Sequence, residues 1–419
     1  MQKKDDIVVG LDIGTTKICV IIAEVDNSGK IKVIGVGNSP SRGLRKGVVV
    51  NLGKTVESIE NALEEAELMA GVNVDSAYVG IAGDHIRSIN SEGVIAISRS
   101  NNNRITDDNE ITEEDIRRVI DAAKAVSLPI DREILHILPQ EFVVDDRYGI
   151  KDPIGLSGIR LQAKVHIVTG AITSAKNIYK SVKRAGINVK DLVLEPLASS
   201  YAVLTDDEKE LGVGLMDIGG GTTDIAMFFE GGVRHTSVLG LGGENVTNDI
   251  AMMIRVPLDQ AERIKRVHGC AKKSLVSNNE FFKVPSFSGR PPREISRELL
   301  SSYIEPRMDE ILSLGLREMK KSDRFEFMTA GIVITGGGAL LEGTVELAEE
   351  IFDMPVKIGI PTGFSGLTDL VVNPMYSTAI GLILYGSKHN GEIGSFRGDD
   401  SRFFEKILMR MKKWLNDFF

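Results

Sequence analysis

Cysteine is nearly absent. Cys19 and Cys270 are the only two in 419 residues, too few for a disulfide framework or a cysteine-rich metal site. Basic excess is also missing: 50 Lys and Arg stand against 59 Asp and Glu, for a net charge of −9. Such a field repels phosphate backbones, so no nucleic-acid partner is expected for the body of the chain. The polar opening, Met1 to Asp6, has no secretory apolar segment, and the chain is expected to be cytosolic. One stretch, Leu370 to Ser387, carries no charged residue and approaches the length of a membrane span. It contains Asn373, Pro374, Ser377 and Thr378, with glycines at 381 and 386, and reads better as a short buried helix after Pro374. Neither a Walker A pattern nor G-x-G-x-x-G occurs, so those two strand-to-helix phosphate turns are excluded. Hydrophobic residues at 42% and charged residues at 26% are ordinary globular values. The length predicts two to four domains.

What is present is an internal echo. Ile7-Val-Val-Gly-Leu-Asp-Ile-Gly-Thr-Thr-Lys17 is matched by Val213-Gly-Leu-Met-Asp-Ile-Gly-Gly-Gly-Thr-Thr223. In both, an apolar strand ends in Asp-Ile-Gly, a Gly/Thr turn follows and a β-rich run returns, which predicts a duplicated α/β unit. Residues Lys54 to Met69 have helical spacing. From Asp84 to Lys164 the pattern changes, with a helix opening at Thr112-Glu113-Glu114-Asp115 as a capping box; this reads as an inserted βα subdomain, after which Val165 to Thr169 resumes the first half. Val246 to Leu314 is rich in helix formers around a Pro/Gly/basic loop, Lys283 to Arg297.

A hairpin of glycines and hydroxyls presents successive backbone N–H groups as an anion nest. One such hairpin is usually just a turn. Two from opposite halves, Gly14-Thr15-Thr16-Lys17 and Gly219-Gly220-Gly221-Thr222-Thr223, grip a polyphosphate from both sides. Asp12 and Asp217 then face the accompanying Mg²⁺ and hold its water shell more than the ion. A third cluster follows the strand Gly331 to Thr335: Gly336-Gly337-Gly338-Ala339, with a helix expected from Leu340 to Phe352. Glycines there let a flat ring or a phosphate approach the backbone.

Two phosphate hairpins, this third loop and two small-residue connectors, Glu195-Pro-Leu-Ala-Ser199 and Tyr376-Ser-Thr-Ala-Ile-Gly381, resemble the actin, sugar-kinase and heat-shock-chaperone superfamily. The resemblance implies two ribonuclease-H-like halves around an ATP cleft, with Glu195 and Asp217 as the hydrolytic pair. It also implies ribose contacts from Glu262 and Lys265, which alone would read as an ordinary helical ion pair, and nucleotide contacts from Gly242, Gly243 and Asn245. Over essentially the whole chain the closer similarity is to the FtsA family of bacterial cell-division proteins. It rests on Leu138-Pro-Gln-Glu-Phe142, Asp152-Pro-Ile-Gly155, Gly158-Ile-Arg-Leu161 and Ile304-Glu-Pro-Arg307. That family is an actin-like anchor for the tubulin-like FtsZ, with its own subdomain in place of actin's 1B. The implied divisions are 1–83 with 165–198 and 374–386 (subdomain 1A), 84–164 (1C), 199–245 with 315–373 (2A) and 246–314 (2B). The chaperones draw a hydrolytic lysine from 1B, for which this chain shows no counterpart, so ATP and Mg²⁺ binding with weak or no turnover is expected.

After a linker at 387–401 comes an amphipathic segment, 402–419. On a helical projection of ~100° per residue, Phe403, Phe404, Ile407, Leu408, Met411, Trp414, Leu415, Phe418 and Phe419 share one face. The segment carries five basic and two acidic residues, so its +3 contrasts with −12 over the rest. Basic residues opposite aromatics suit an interfacial membrane helix, while packing against the body is the plainer alternative. The expected partners are FtsZ, docking near Arg307 and Glu310, other division proteins, further copies of the chain in a filament, and an anionic membrane. The expected place is the cytoplasmic face of the inner membrane at the division septum. Rival readings are a PilM-like pilus-assembly scaffold and a phosphotransferase or chaperone ATPase of the same superfamily.

Overall fold

The computed structural model describes residues 6–97, 110–277, 279–284 and 292–389. The opening apolar runs form three antiparallel strands, Asp6–Ile13, Lys17–Val25 and Ile31–Pro40. Ser76–Ile81 and Asn188–Leu194 extend the sheet in parallel from the first strand. Residues Ile18 to Ala23 are fully buried without alternation. The helices Leu52–Ala70 and Ser377–Lys388 both pack on that strand, and a strand covered on two faces has no polar side to show.

The second half repeats this plan. Val213–Ile218, Thr223–Phe229 and Gly232–Leu239 are antiparallel, and Ile332–Thr335 and Val356–Ile358 follow in parallel. Spatial order and strand direction agree between the five strands that the halves share; the first sheet adds a sixth, Ser365–Gly366, parallel to Ile31–Pro40, although residues 315–373 are expected in the second half. The local echo is therefore the visible part of a complete duplication, and the fold is the expected actin-like pair of ribonuclease-H-like halves with an inserted subdomain.

The insertion has its own four-stranded antiparallel sheet, in the order Arg87–Ala96, Arg160–Ala171, Arg132–Val144, Arg147–Ile150. Helix Glu113–Ala123 covers it, burying Ile116, Val119 and Ile120 against Phe142, Leu161 and Ile167. At the helix start the Asp115 carboxylate accepts from the Thr112 N–H at 3.0 Å and hydroxyl at 2.7 Å, which satisfies a free end donor. One expectation changes here. Val165 to Thr169 does not resume the first-half sheet. It is the middle of Arg160–Ala171, paired on both sides within the insertion, and Asn188–Leu194 takes the place beside Ser76–Ile81. An apolar run announces a strand, but not the sheet that receives it.

The insertion also touches both halves. Gln140 Nε2 donates to the Val233 carbonyl at 2.9 Å, Ser88 Oγ to the Thr236 carbonyl at 2.8 Å, and His136 Nε2 accepts from the Leu194 N–H at 3.0 Å. In the second half, helices Gly243–Ile254, Leu258–His268 and Arg297–Met319 form the outer part. Within the expected loop from Lys283 to Arg297, Arg293–Ser296 is a strand that pairs antiparallel with Phe281–Val284. The helix expected from Leu340 is split into a tight turn, Gly337–Leu340, and a helix, Thr344–Phe352. Leu370 to Ser387 breaks at Pro374 and continues as the buried helix Ser377–Lys388. Among the described residues no helix is long and apolar enough to cross a membrane. The linker beyond His389 and the amphipathic segment 402–419 lie outside the described residues.

Candidate nucleotide-binding site

The two Asp-Ile-Gly hairpins meet across the halves. A Cβ on Gly220 would lie 2.5 Å from Thr16 Oγ1, and one on Gly221 would lie 2.5 Å from Thr15 Oγ1. Such separations leave no room for a side chain at 220 or 221 unless a threonine moves, so these two glycines are the hollow that receives Thr16 and Thr15. Gly14 closes its own turn, where a Cβ would come 2.8 Å from the Lys17 carbonyl. The third glycine cluster packs on the second hairpin: Cβ atoms on Gly336 and Gly338 would collide with Asp217 and Ile218. Gly337 has open space around it, whereas Ala339 is buried.

Several of the expected contact residues make hydrogen bonds within the protein. Lys17 donates its ammonium to the Met375 carbonyl at 2.9 Å and lies 4.0 Å from the Tyr376 ring centroid. The Thr223 hydroxyl is buried and donates to the Leu241 carbonyl at 2.9 Å, and Thr222 Oγ1 donates to Asp224 at 3.1 Å. Asn245 Oδ1 accepts the Gly242 N–H at 3.0 Å, while the Gly243 N–H donates to the Gly219 carbonyl at 2.9 Å. The 242–245 turn, where helix Gly243–Ile254 begins, thus braces the second hairpin. Glu262 and Lys265 share a helix face as read, 2.7 Å apart. Lys265 also donates to Thr247 Oγ1 at 2.8 Å and to the Gly243 carbonyl at 2.9 Å, and Thr247 donates to Glu262 at 2.5 Å. That closed network stands at the rim of the same loop.

The floor is acidic. Asp12 and Asp217 end equivalent strands, Asp224 lies on the returning strand, and Glu195 opens the first connector helix, Glu195–Val203, keeping partial solvent access. Both connectors reach one carboxylate: Ser199 Oγ donates to Asp217 Oδ2 at 2.5 Å and Thr378 Oγ1 at 3.0 Å. They can do so because the helices cross closely; a Cβ on Gly381 would collide with the Ala198 carbonyl. Burial pushes Asp12 up to about 6, opposed by Lys17 and reinforced by Asp217. Burial also raises Asp217, against the two hydroxyls and Lys17. Glu195 and Asp224 are driven well above the carboxylate range, by burial first and then by their acidic neighbours.

Asp224 and the hydroxyls of Ser199 and Thr378 were not singled out from the sequence. Asp224 was findable as the acid closing Asp-Ile-Gly-Gly-Gly-Thr-Thr-Asp; the hydroxyls act across 18 and 161 positions and carried no local signal. Asp224 Oδ1 is buried without a partner. Four crowded acids with a raised proton affinity fit a divalent cation, which would relieve their mutual repulsion. Among the described residues no three acids, histidines or cysteines converge as direct ligands.

The two residues expected to meet a partner are paired internally. Arg307 donates from Nε and Nη2 to Asp249 at 2.6 and 3.2 Å and also pairs with Glu310. This fork ties helix Arg297–Met319 to helix Gly243–Ile254.

Comparison with known proteins agrees with this architecture. Residues 214–381 match the family model "Cell division protein FtsA", and residues 83–169 match "SHS2 domain inserted in FTSA". The cell division protein FtsA of Pseudomonas aeruginosa is 50% identical over 413 residues, covering 97% of each chain. Those of Neisseria meningitidis and Escherichia coli K12 are 42% and 44% identical, covering 100% and 92% of each chain. Among solved structures, a PilM-PilN type IV pilus biogenesis complex aligns with TM-score 0.62 at 16% identity, covering 92% of this chain and 99% of the other. MreB5 of Spiroplasma citri bound to ADP aligns with TM-score 0.57 at 15% identity, covering 93% and 99%. At such identities the two structures show the shared fold alone, whereas the full-length relatives decide the family: the chain belongs to the FtsA family of cell-division proteins.

Proposed function

We propose that this chain binds ATP with Mg²⁺ between its two halves, assembles into filaments with further copies of itself, and anchors FtsZ filaments to the membrane while other division proteins join. The observation that carries the nucleotide reading is the contact of the two hairpins beside four clustered acids, three of them buried. Backbone N–H groups and threonine hydroxyls suit phosphate oxygens, and Gly337 leaves room for the rest of the nucleotide. Bound Mg²⁺ would supply positive charge between the phosphates and the acidic floor, with Asp12 and Asp217 holding its waters. Glu195 points its raised carboxyl from a hinge helix and would orient a water there, and Glu262 with Lys265 would meet the ribose at the rim. Weak or no hydrolysis is expected. The related MreB 5 structures, bound to ADP and to AMPPNP, are in keeping with a nucleotide in this fold.

Both connectors hold Asp217, so closure of the cleft and the attitude of the halves are linked. Nucleotide would thereby set the geometry of subunit contacts. The subdomain division given above is kept for this reading, except that residues 165–171 move with the insertion. The anchor would be the aromatic, basic segment 402–419, placing the protein on the cytoplasmic face of the inner membrane at the septum. The test is electron microscopy of the full chain on an anionic lipid monolayer with and without ATP, beside a chain lacking residues 402–419. Ordered filaments that need both ATP and the segment support the reading. Equal lipid binding by the shortened chain removes the anchor, and Trp414, the only tryptophan, gives an independent readout through a blue shift on vesicles.

A further inference from the structure

A small turn stands beside the hairpins, outside both main sheets. Leu44–Arg45 and Val48–Val49 pair antiparallel, and Lys46 and Gly47 form the tip. The Gly47 N–H donates to Thr15 Oγ1 at 3.0 Å, which seats the tip on the first hairpin, and Thr15 is also the residue that fills the hollow at Gly221. Lys46 and Gly47 hold φ at 50° and 74°, the left-handed pair that a two-residue hairpin turn requires. The lysine side chain runs to the opposite half. Its Cδ and Nζ stand 3.4 and 3.6 Å from where a Cβ on Gly240 would lie. Gly240 ends the strand Gly232–Leu239 and leads into the 242–245 loop that braces the second hairpin.

Lys46 therefore spans from the first hairpin to the rim of the second, as an exposed ammonium for which no described residue supplies an ion pair or hydrogen bond. Asp84 approaches the same glycine, with its Cβ at 3.6 Å from the position of that Cβ, yet makes no ion pair with the lysine. The contrast is with Lys17, whose ammonium is held by Met375 and Tyr376. An additional phosphoryl group brings negative charge that an unpaired cation seated beside the first hairpin would offset, in addition to Mg²⁺.

We propose that Lys46 is the contact for the terminal phosphate, by which this cleft distinguishes a nucleoside triphosphate from a diphosphate. The inference rests on the nucleotide reading above and deepens it. Because the lysine stem lies on Gly240, drawing the ammonium inward brings the second-half rim with it, so the same residue couples the third phosphate to closure.

The experiment is titration of the full chain with Mg·ATP and Mg·ADP in competition with a fluorescent nucleotide. Lys46→Ala is expected to weaken ATP about tenfold and ADP less than about twofold, and retained ADP binding reports an intact fold. Lys46→Arg, which keeps the charge, should stay within about threefold of the parent for both. Gly240→Val, which displaces the lysine stem, should repeat the ATP-selective loss. The selective part should shrink as salt rises, because the lysine is exposed. Equal weakening of both nucleotides by Lys46→Ala, or no change in either, overturns the proposal while leaving nucleotide binding intact. A parent chain that binds neither overturns the nucleotide reading itself, and this inference with it.

Discussion

The two halves share strand order and direction, yet their phosphate hairpins are built from opposite materials. The first has one glycine followed by Thr15, Thr16 and Lys17, and its threonines project across the gap. The second has Gly219, Gly220 and Gly221, and its threonines turn inward to Asp224 and Leu241. One half offers side chains and the other offers bare backbone, and the contact works because they differ. A duplicated fold is thus compatible with a site that is not symmetric, since topology is set by the sheet core while chemistry is set by a few turn residues.

The sharpest way to break this complementarity is to fill the hollow. Gly220→Val should drive a side chain into Thr16. Overpacking of a tight contact costs ~1–3 kcal/mol, and nucleotide affinity should fall about a hundredfold or more. Thr16→Gly in the same chain should recover much of both losses, measured by thermal melting and nucleotide titration. If the double variant is no better than Gly220→Val alone, the two turns are not each other's partners.

Next in size is the charge on the floor. Asp217→Asn keeps an oxygen for the hydroxyls of Ser199 and Thr378 but removes a charge that burial already disfavours. The ligand-free chain should become more stable, while Mg·ATP affinity drops roughly a hundredfold. A loss of stability in the ligand-free variant would count against an acid cluster waiting for a cation.

Much of this site was legible because it is local. A strand, Asp-Ile-Gly, a turn and a returning strand lie within twenty residues, and two copies fix two halves. Residues that act over distance were not legible in that way. Thr378 meets Asp217 from 161 positions away, Arg307 is claimed by Asp249 from 58 away, and the sheet that receives Val165 to Thr169 depends on which partners arrive. The hairpin pattern points Lys17 at a phosphate, but the Met375 carbonyl and the Tyr376 ring compete for its ammonium. Periodicity and motif describe what a segment offers, while tertiary packing decides what takes the offer.

A smaller effect separates Asp12 from its counterpart. Its carboxyl is raised from 3.8 to about 6 by burial. Between those values the folded chain keeps a proton that the unfolded chain has released, so acidification through this window stabilises the ligand-free protein. On the proposed reading a bound cation would need the carboxylate, so nucleotide affinity should fall over the same window. Other carboxylates with lowered values, such as Glu141 and Glu208, push overall stability the other way. The measurement is therefore the difference between parent and Asp12→Asn in melts and titrations from about pH 4 to 7. A difference that does not vary with pH would separate Asp12 from the site.

The smallest expected effect concerns the ion pair between two helices of the second half, Gly243–Ile254 and Arg297–Met319. Arg307 was read as a partner contact, but its guanidinium forks onto Asp249, so its removal has a structural consequence in any case. Both groups are about a quarter exposed, and solvent screening holds the pair to ~1 kcal/mol or less. Arg307→Ala and Asp249→Ala should each lower the melting point slightly, and the double variant should lose less than the sum, as expected for a coupled pair. Co-sedimentation with FtsZ then decides the second role. If Arg307→Ala weakens it and Asp249→Ala does not, the arginine faces the partner as well as its neighbour. If both weaken it equally, the effect travels through the helix packing, and the docking surface must be sought away from this ion pair.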